Sequence, residues 1–162
     1  MKLAFKMKTH NILSIKEFKT NMIKNSRLLG IDHGRKNVGI AICDENQIIA
    51  TPFKTIQRNK LEDLIIELKK IIIQNKIMGI VVGNPINMDG SKGKSSQSAT
   101  DFCKNLSNNI TIPITMWDER LSSEGTFKIT KKLGTNTSNR VKNLDKNAAA
   151  FILQGAIDFL SN

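Results

Sequence analysis

Between Arg27 and Thr55 the chain fits three short apolar stretches separated by tight polar turns, a pattern that implies an antiparallel meander. Leu28-Leu29-Gly30-Ile31-Asp32 reads as the first strand, with Gly34 in the turn after it. Val38 to Cys43 reads as the second, Asp44-Glu45-Asn46 as its following turn, and Gln47 to Thr55 as the third. The period then changes. Leu61, Leu64, Ile65, Leu68, Ile71 and Ile72 recur at helical spacing, so residues 59–75 are expected to form an amphipathic helix. Ile77 to Val82 reads as a buried strand and Asn84 to Lys94 as a polar loop. A helix follows, with Ala99, Phe102, Cys103 and Leu106 inward, and Ile112 to Trp117 is the last strand. Residues 122–133 are expected to be helical, residues 134–143 polar, basic and mobile, and residues 145–160 a closing helix. A meander followed by α–β crossovers implies an α/β fold with a mixed sheet flanked by helices.

Composition narrows the function classes. Apolar residues make up 40% of the 162, enough for one domain with a hydrophobic core and too many for a disordered chain. Runs such as Ile71-Ile72-Ile73 fall far short of a membrane span, and residues 1–26 contain no continuous apolar segment of the kind a secretory signal needs. Cys43 and Cys103 lie far apart without CxxC spacing, which favours a buried reduced pair over a disulfide framework or a zinc site. Lys and Arg number 25 against 14 Asp and Glu, a formal net charge of +11 that favours a polyanionic partner, nucleic acid or an anionic membrane surface. Abundant Lys, Asn and Ile also fit AT-rich codon use, so part of this basicity has another source. Residues 1–26 hold six lysines against Glu17 alone, a net of +5, which leaves +6 for residues 27–162. The first 26 residues are therefore expected to be a poorly ordered basic extension ahead of a single domain over 27–162. An arm or a start-site artefact at Met22 is favoured for it over a targeting segment.

Four segments concentrate residues that could carry chemistry. In Gly30 to Gly39, Asp32 ends an apolar strand beside a tight turn, a placement suited to holding a divalent cation against a phosphate. Arg35 and Lys36 could ground flanking phosphates, whereas turn initiation alone would also account for Asp32. His33 could assist proton transfer, but a tolerated turn residue is the simpler reading. In Trp117 to Glu124, Asp118 and Glu119 close the last strand. Alternation puts them on opposite sides if the strand continues, so one of the two is expected to meet a metal. Arg120 could clamp a phosphate or pair with an acid, and Ser122 or Ser123 could cap a helix. In Asp145 to Ile152, Asp145 shares a helical face with Ala148, Ala149 and Ile152, so a third carboxylate could enter from a helix end that packs on the sheet. An ordinary acid at a helix N-terminus is the plain alternative. In Val81 to Gly93, Asn84, Asn87, Ser91 and Lys92 offer donors to phosphate or sugar, without the spacing of a Walker loop. A solvated connection would look the same. One Trp and no Tyr leave little for a base-stacking platform.

GIDHGRKNVGIAICD at 30–44, IVVGNPINMDGSKG at 80–93, WDERLSSEGT at 117–126 and LDKNAAAFILQ at 144–154 together resemble the YqgF/RuvX family. Its members are described as pre-16S ribosomal RNA nucleases and as Holliday-junction-resolvase-like. The resemblance implies a ribonuclease-H-like, five-stranded mixed sheet flanked by helices, a cytoplasmic setting, and processing of the 5′ end of pre-16S rRNA. It also implies a metal-dependent site built from Asp32, Glu119 and Asp145, with Asp118 as the alternative to Glu119. Mg²⁺ or Mn²⁺ suits an all-carboxylate site of this kind. Structured RNA and branched DNA both remain open as substrates, as do monomer and homodimer. A symmetric dimer would favour junction resolution, because two cuts need two sites. A non-catalytic RNA-binding assembly factor is a third possibility. An actin-like nucleotide-binding module, which also opens on a GIDxG hairpin, needs two such lobes where this chain has one.

Overall fold

The computed structural model describes residues 11–87, 89–122 and 144–162, with the side chains of residues 144–146 excepted. The expected helix over 122–133 and the basic stretch over 134–143 lie almost wholly outside the described residues. The chain enters through a short strand β1 (Ile12–Leu13) and helix α1 (Ile15–Asn21). The meander follows as β2 (Arg27–His33), β3 (Asn37–Cys43) and β4 (Ala50–Gln57), with both pairings antiparallel. Then come α2 (Leu61–Gln74), β5 (Ile77–Asn84), α3 (Lys94–Asn109), β6 (Ile114–Asp118), a single 3-10 turn at Glu119–Leu121, and α4 (Leu144–Leu160). The sheet order is β1-β6-β5-β2-β3-β4, with β5 parallel to β2, β6 parallel to β5 and β1 parallel to β6. No helix among the described residues is long and apolar enough to cross a membrane.

Six strands stand where five were expected, and the extra one corrects the expectation of a loose arm running through residue 26. From Asn11 onward the chain is built into the fold. The Asn11 side chain donates to the carbonyls of Ile110 and Ile112, which fixes β1 beside β6. Ser14 and Glu17 form a reciprocal capping box that starts α1. Phe18 is fully buried among the residues packed under α4. A lysine-rich helix of seven residues with one buried anchor is too short to show a period in the sequence. The third strand also begins later than expected, at Ala50 rather than Gln47. The Asp44 carboxylate accepts the amides of Asn46, Ile48 and Ile49 at 2.7–3.1 Å, so these residues form a side-chain-held turn instead of a ladder.

The sheet is covered on both faces. Leu29 and Ile31 of β2 point into the cluster under α2 and α3, together with Ile80, Val82, Leu68 and Phe102. Leu28, Val81 and Trp117 point the other way, into the cluster under α4 and α1. Cys43 and Cys103 are both free thiols, as expected, and lie on opposite sides of the sheet. Helix α4 rides close on β2 because Gly30 has no side chain. A β-carbon there would stand 2.6 Å from Leu153 Cβ and 2.9 Å from the Ala149 carbonyl. Gln154, buried in the same helix, accepts from the Ala50 amide and donates to the Ile48 carbonyl. That pair fixes the C-terminal half of α4 over the start of β4.

One edge collects the functional segments as a consequence. Strands β2, β4, β5 and β6 all run the same way, so His33, Gln57, Asn84 and Asp118 end together. Helices α2 and α3 start from that edge, after β4 and β5, and the first turn of α4 lies toward it. Ligands of open α/β sheets characteristically bind outside the carboxyl ends of such strands.

Candidate active site

Asp32 is the sixth residue of β2 and sits on the α4 face of the sheet, in alternation with Gly30 and Leu28. It pairs with Gly39 of β3, and on its other side β5 places Gly83 next after the Ile31–Val82 pair. Neither neighbour has a side chain, so the half-buried Asp32 sits at the strand end beside bare backbone.

Asp118 and Glu119 lie in different surroundings. β6 stops at Asp118, and Glu119 opens the 3-10 turn. The Asp118 carboxylate accepts from Arg120 Nε at 3.0 and 3.1 Å and from Nη2 at 2.7 Å, a two-pronged clamp, while also capping the turn through the Arg120 amide. Hydrogen bonding to Arg120 holds Asp118 below the usual carboxylate range. Glu119 goes the other way. Its Oε1 lies 3.2 Å from where a Gly83 β-carbon would be, which brings the carboxylate beside Asp32. Burial pushes the Glu119 carboxyl above its ordinary value, and the charges of Asp32 and Asp118 push it further.

Asp145 occupies the first turn of α4, four residues ahead of Ala149, the residue packed over Gly30. Its backbone is thus on the α4 face at the acid edge, and its side chain lies outside the described residues. Among the described residues no group of three His, Cys, Asp or Glu gathers as a metal site; Asp32 and Glu119 are two of the expected three. The donor set fits a hard divalent cation. Two carboxylates with mutually unfavourable charges share one face, and no soft ligand stands near them in the described chain.

The other expected residues divide into two groups. Arg35 and Lys36 are exposed on the β2–β3 turn. Lys92 is exposed in the β5–α3 loop. By contrast, Asn84 accepts from Ser96 Oγ at 2.8 Å, and Asn87 donates to Ser91 Oγ at 3.0 Å. Ser91 in turn donates its hydroxyl and its amide to Asp89 at 2.7 and 2.9 Å. These side chains brace a loop that Ile86 and Lys92 close by a bridge. Arg120 is held by Asp118. Ser122 accepts from the Trp117 indole at 3.2 Å. His33 faces away from Asp32, stacked flat on Phe102 with ring centroids 4.2 Å apart. Burial, aided by Arg58, lowers its pKa to about 4, and the ring lies on the other side of the sheet from the acids. Sequence reasoning overlooked Gly83. Its signal was present as a glycine at the end of an apolar strand, but the carboxylate that needs the space comes from a segment 36 residues away.

The chain is similar to known proteins over most of its length. Residues 26–159 match the sequence family RuvX, described as Holliday junction resolvase. A protein of Pelagibacter ubique, provisionally named a pre-16S rRNA nuclease, is 54% identical over 151 residues, covering 93% of this chain and all of the relative. A Ruegeria pomeroyi protein with the same provisional name is 42% identical over 149 residues, covering 92% and 97% of the two chains. Among solved structures, Thermus thermophilus RuvC in complex with a Holliday junction substrate aligns with a TM-score of 0.50 at 8% identity, over 83% of this chain and 93% of that one. The likeness is one of fold and bears out the ribonuclease-H-like architecture.

Proposed function

The chain belongs to the RuvX family, and we propose that it is a divalent-metal-dependent nuclease that hydrolyses phosphodiester bonds in structured nucleic acid, with pre-16S rRNA as substrate in the cytoplasm. The observation that carries this reading is the convergence of Asp32 and Glu119 on one face of the sheet, over the bare backbone of Gly83. Asp32, Glu119 and Asp145 would hold Mg²⁺ or Mn²⁺, with Asp118 left to Arg120. When bound, such an ion supplies Lewis acidity toward the phosphate and a nucleophile from water.

The chain's own residues account for the rest. Asp32 stands on β2, Glu119 on the 3-10 turn and the Asp145 backbone in the first turn of α4, so the three positions come from separate elements. Without a cation the charges of Asp32 and Glu119 repel, which leaves the site with a standing demand for positive charge. Arg35, Lys36 and Lys92 answer the same need for the incoming strand, grounding phosphates on either side of the scissile one. The names borne by the Pelagibacter and Ruegeria relatives support the RNA substrate.

A cleavage assay tests the reading. The protein and its Asp32→Asn variant would be incubated with Mn²⁺, Mg²⁺ or chelator and a 5′ leader of pre-16S rRNA, a four-way DNA junction or plain duplexes. Metal-dependent cutting of the leader that Asp32→Asn loses is the expected result. Preferential cutting of the junction would transfer the chain to branched DNA. No cutting of any substrate, with RNA binding equal in both proteins, would make it a non-catalytic assembly factor.

A further inference from the structure

Consecutive residues of a strand face opposite ways, so the step from Asp32 to His33 passes through the sheet. On the His33 side, at the same edge, an open cleft of about 460 Å³ lies at the N-terminal ends of α2 and α3. One wall is flat: half-buried His33 lies on the buried Phe102 with the ring planes only 6° apart, and the exposed Leu61 stands beside it. A smaller chamber of about 210 Å³ opens toward the β2–β3 turn. It shares His33, Arg58, Lys94 and Ser98 with the cleft and adds Arg35 and Ser95.

Charge is left over in this chamber. Arg35, Arg58 and Lys94 are exposed, and among the described residues none of them forms an ion pair, whereas Lys54 and Arg120 do. Helix α3 starts on Gly93 with no side-chain cap and no acid in its first turn, so its leading amides are unclaimed at the same spot. The carboxylate that lines the larger cleft, Asp101, accepts from Gln97 and does not line the smaller chamber. Inside, both His33 ring nitrogens are buried without a hydrogen-bond partner.

We propose that this cleft seats one unpaired nucleotide of the substrate strand, its phosphate between Arg58, Lys94 and the start of α3 and its base against His33 and Leu61. The inference rests on the nuclease reading for the identity of the strand. It places a recognition element on the opposite side of the sheet from the acids, reached around the β2–β3 turn. A strand threaded that way must be locally single-stranded, because a base cannot enter the cleft while paired and stacked.

Fluorescence anisotropy in chelator, where nothing is cut, tests it with a blunt RNA duplex, the same duplex carrying a short unpaired tail, and uridine monophosphate as competitor. The tail is expected to raise affinity about tenfold, the scale of one added phosphate contact and one stacked base. The double variant Arg58→Ala/Lys94→Ala should abolish that gain and lower the salt slope for the tailed duplex by about 0.7, the value for one single-strand phosphate. Ser98→Leu, which fills the cleft without changing charge, should abolish the gain as well. Equal affinity for blunt and tailed duplexes overturns the proposal, as does equal weakening of both by the charge variant. So does a Ser98→Leu protein that still prefers the tail, or a tail preference that saturating uridine monophosphate leaves unchanged. Arg58 and Lys94 are exposed, so the charge variant stands even if Ser98→Leu folds poorly. Tail preference without cleavage of any substrate would remove the nuclease reading and leave the cleft; cleavage without tail preference would do the reverse.

Discussion

Glu119 leans over Gly83, with Oε1 3.2 Å from the place a β-carbon would take, and Ile152 Cδ1 crowds the same place from α4. A methyl group at Gly83 must therefore displace the Glu119 carboxylate and a core side chain together. Gly83→Ala is expected to destabilise the protein by about 1–3 kcal/mol, the usual range for overpacking. It should also lower cleavage while leaving nucleic-acid binding in chelator unchanged. Urea unfolding and the two assays check this; a variant as stable and as active as the parent would contradict the geometry.

Glu119→Gln should separate stability from activity. The folded protein holds the Glu119 carboxyl above its unfolded value, so the native state binds the extra proton. Stability from this group is therefore greatest below the unfolded pKa and declines as pH rises through the folded one. Replacing it by the neutral amide should make the metal-free protein more stable than the parent at pH 7. Cleavage should fall by at least the order of 10–100-fold that follows loss of even an indirect metal partner. Thermal melts in chelator, with and without Asp32→Asn, measure the first effect. The second carboxylate's removal should erase part of the gain.

His33 carries the opposite sign. Its folded pKa is about 4 against an ordinary 6.5, so between those values the unfolded chain binds the proton and the folded one does not. The stability linked to this ring is complete above pH 6.5 and is lost as pH falls toward 4. His33→Phe keeps the stack on Phe102 and removes the titration. Its urea midpoint, relative to the parent, should rise between pH 7 and pH 4.5. A constant difference across that range would contradict the buried, neutral ring.

Phe18→Ala examines the segment expected to be loose. Its ring approaches Gly79 so closely that a β-carbon there would lie 2.7 Å from Cζ. Truncating a fully buried aromatic side chain should cost about 3–5 kcal/mol, where a frayed arm would cost nothing measurable. Denaturant unfolding gives the answer directly.

Trp117 is the single tryptophan of the chain and reports on α4. Its indole donates to Ser122 and presses on Gly155, where a β-carbon would stand 2.8 Å from Nε1. Gly155→Ala is expected to move the indole toward water, shifting its emission to the red, and to cost about 1–3 kcal/mol. Unchanged emission would mean that α4 does not lie where the close approach puts it.

Much of this architecture could be read before any coordinates. The meander, both crossover helices and the closing helix have apolar periods set by local alternation, and they fall within a few residues of their expected bounds. The failures share a cause, which is that polar side chains took up hydrogen-bonding groups that alternation does not register, some across the sheet and some within a turn. Asn11 reaches carbonyls about 100 residues away, so β1 had no local signal. Asp44 withdrew three amides from the ladder, so β4 began late. The acids were visible as residue types, but the choice between Asp118 and Glu119 depended on where β6 stopped and on the arginine clamp, which alternation alone could not decide. The loop at 84–94 looked like a set of free donors; in three dimensions Asn84, Asn87 and Ser91 are occupied in holding it together.

The two thiols make the layered build into a clock. Cys43 reports on the layer under α4 and Cys103 on the layer under α2 and α3, and burial holds their pKa values up at about 11 and 12. Neither reacts until its own layer opens. Pulsed alkylation followed by mass analysis would thus time the two sides of the sheet separately within one molecule, without an added label, and reveal which side lets go first.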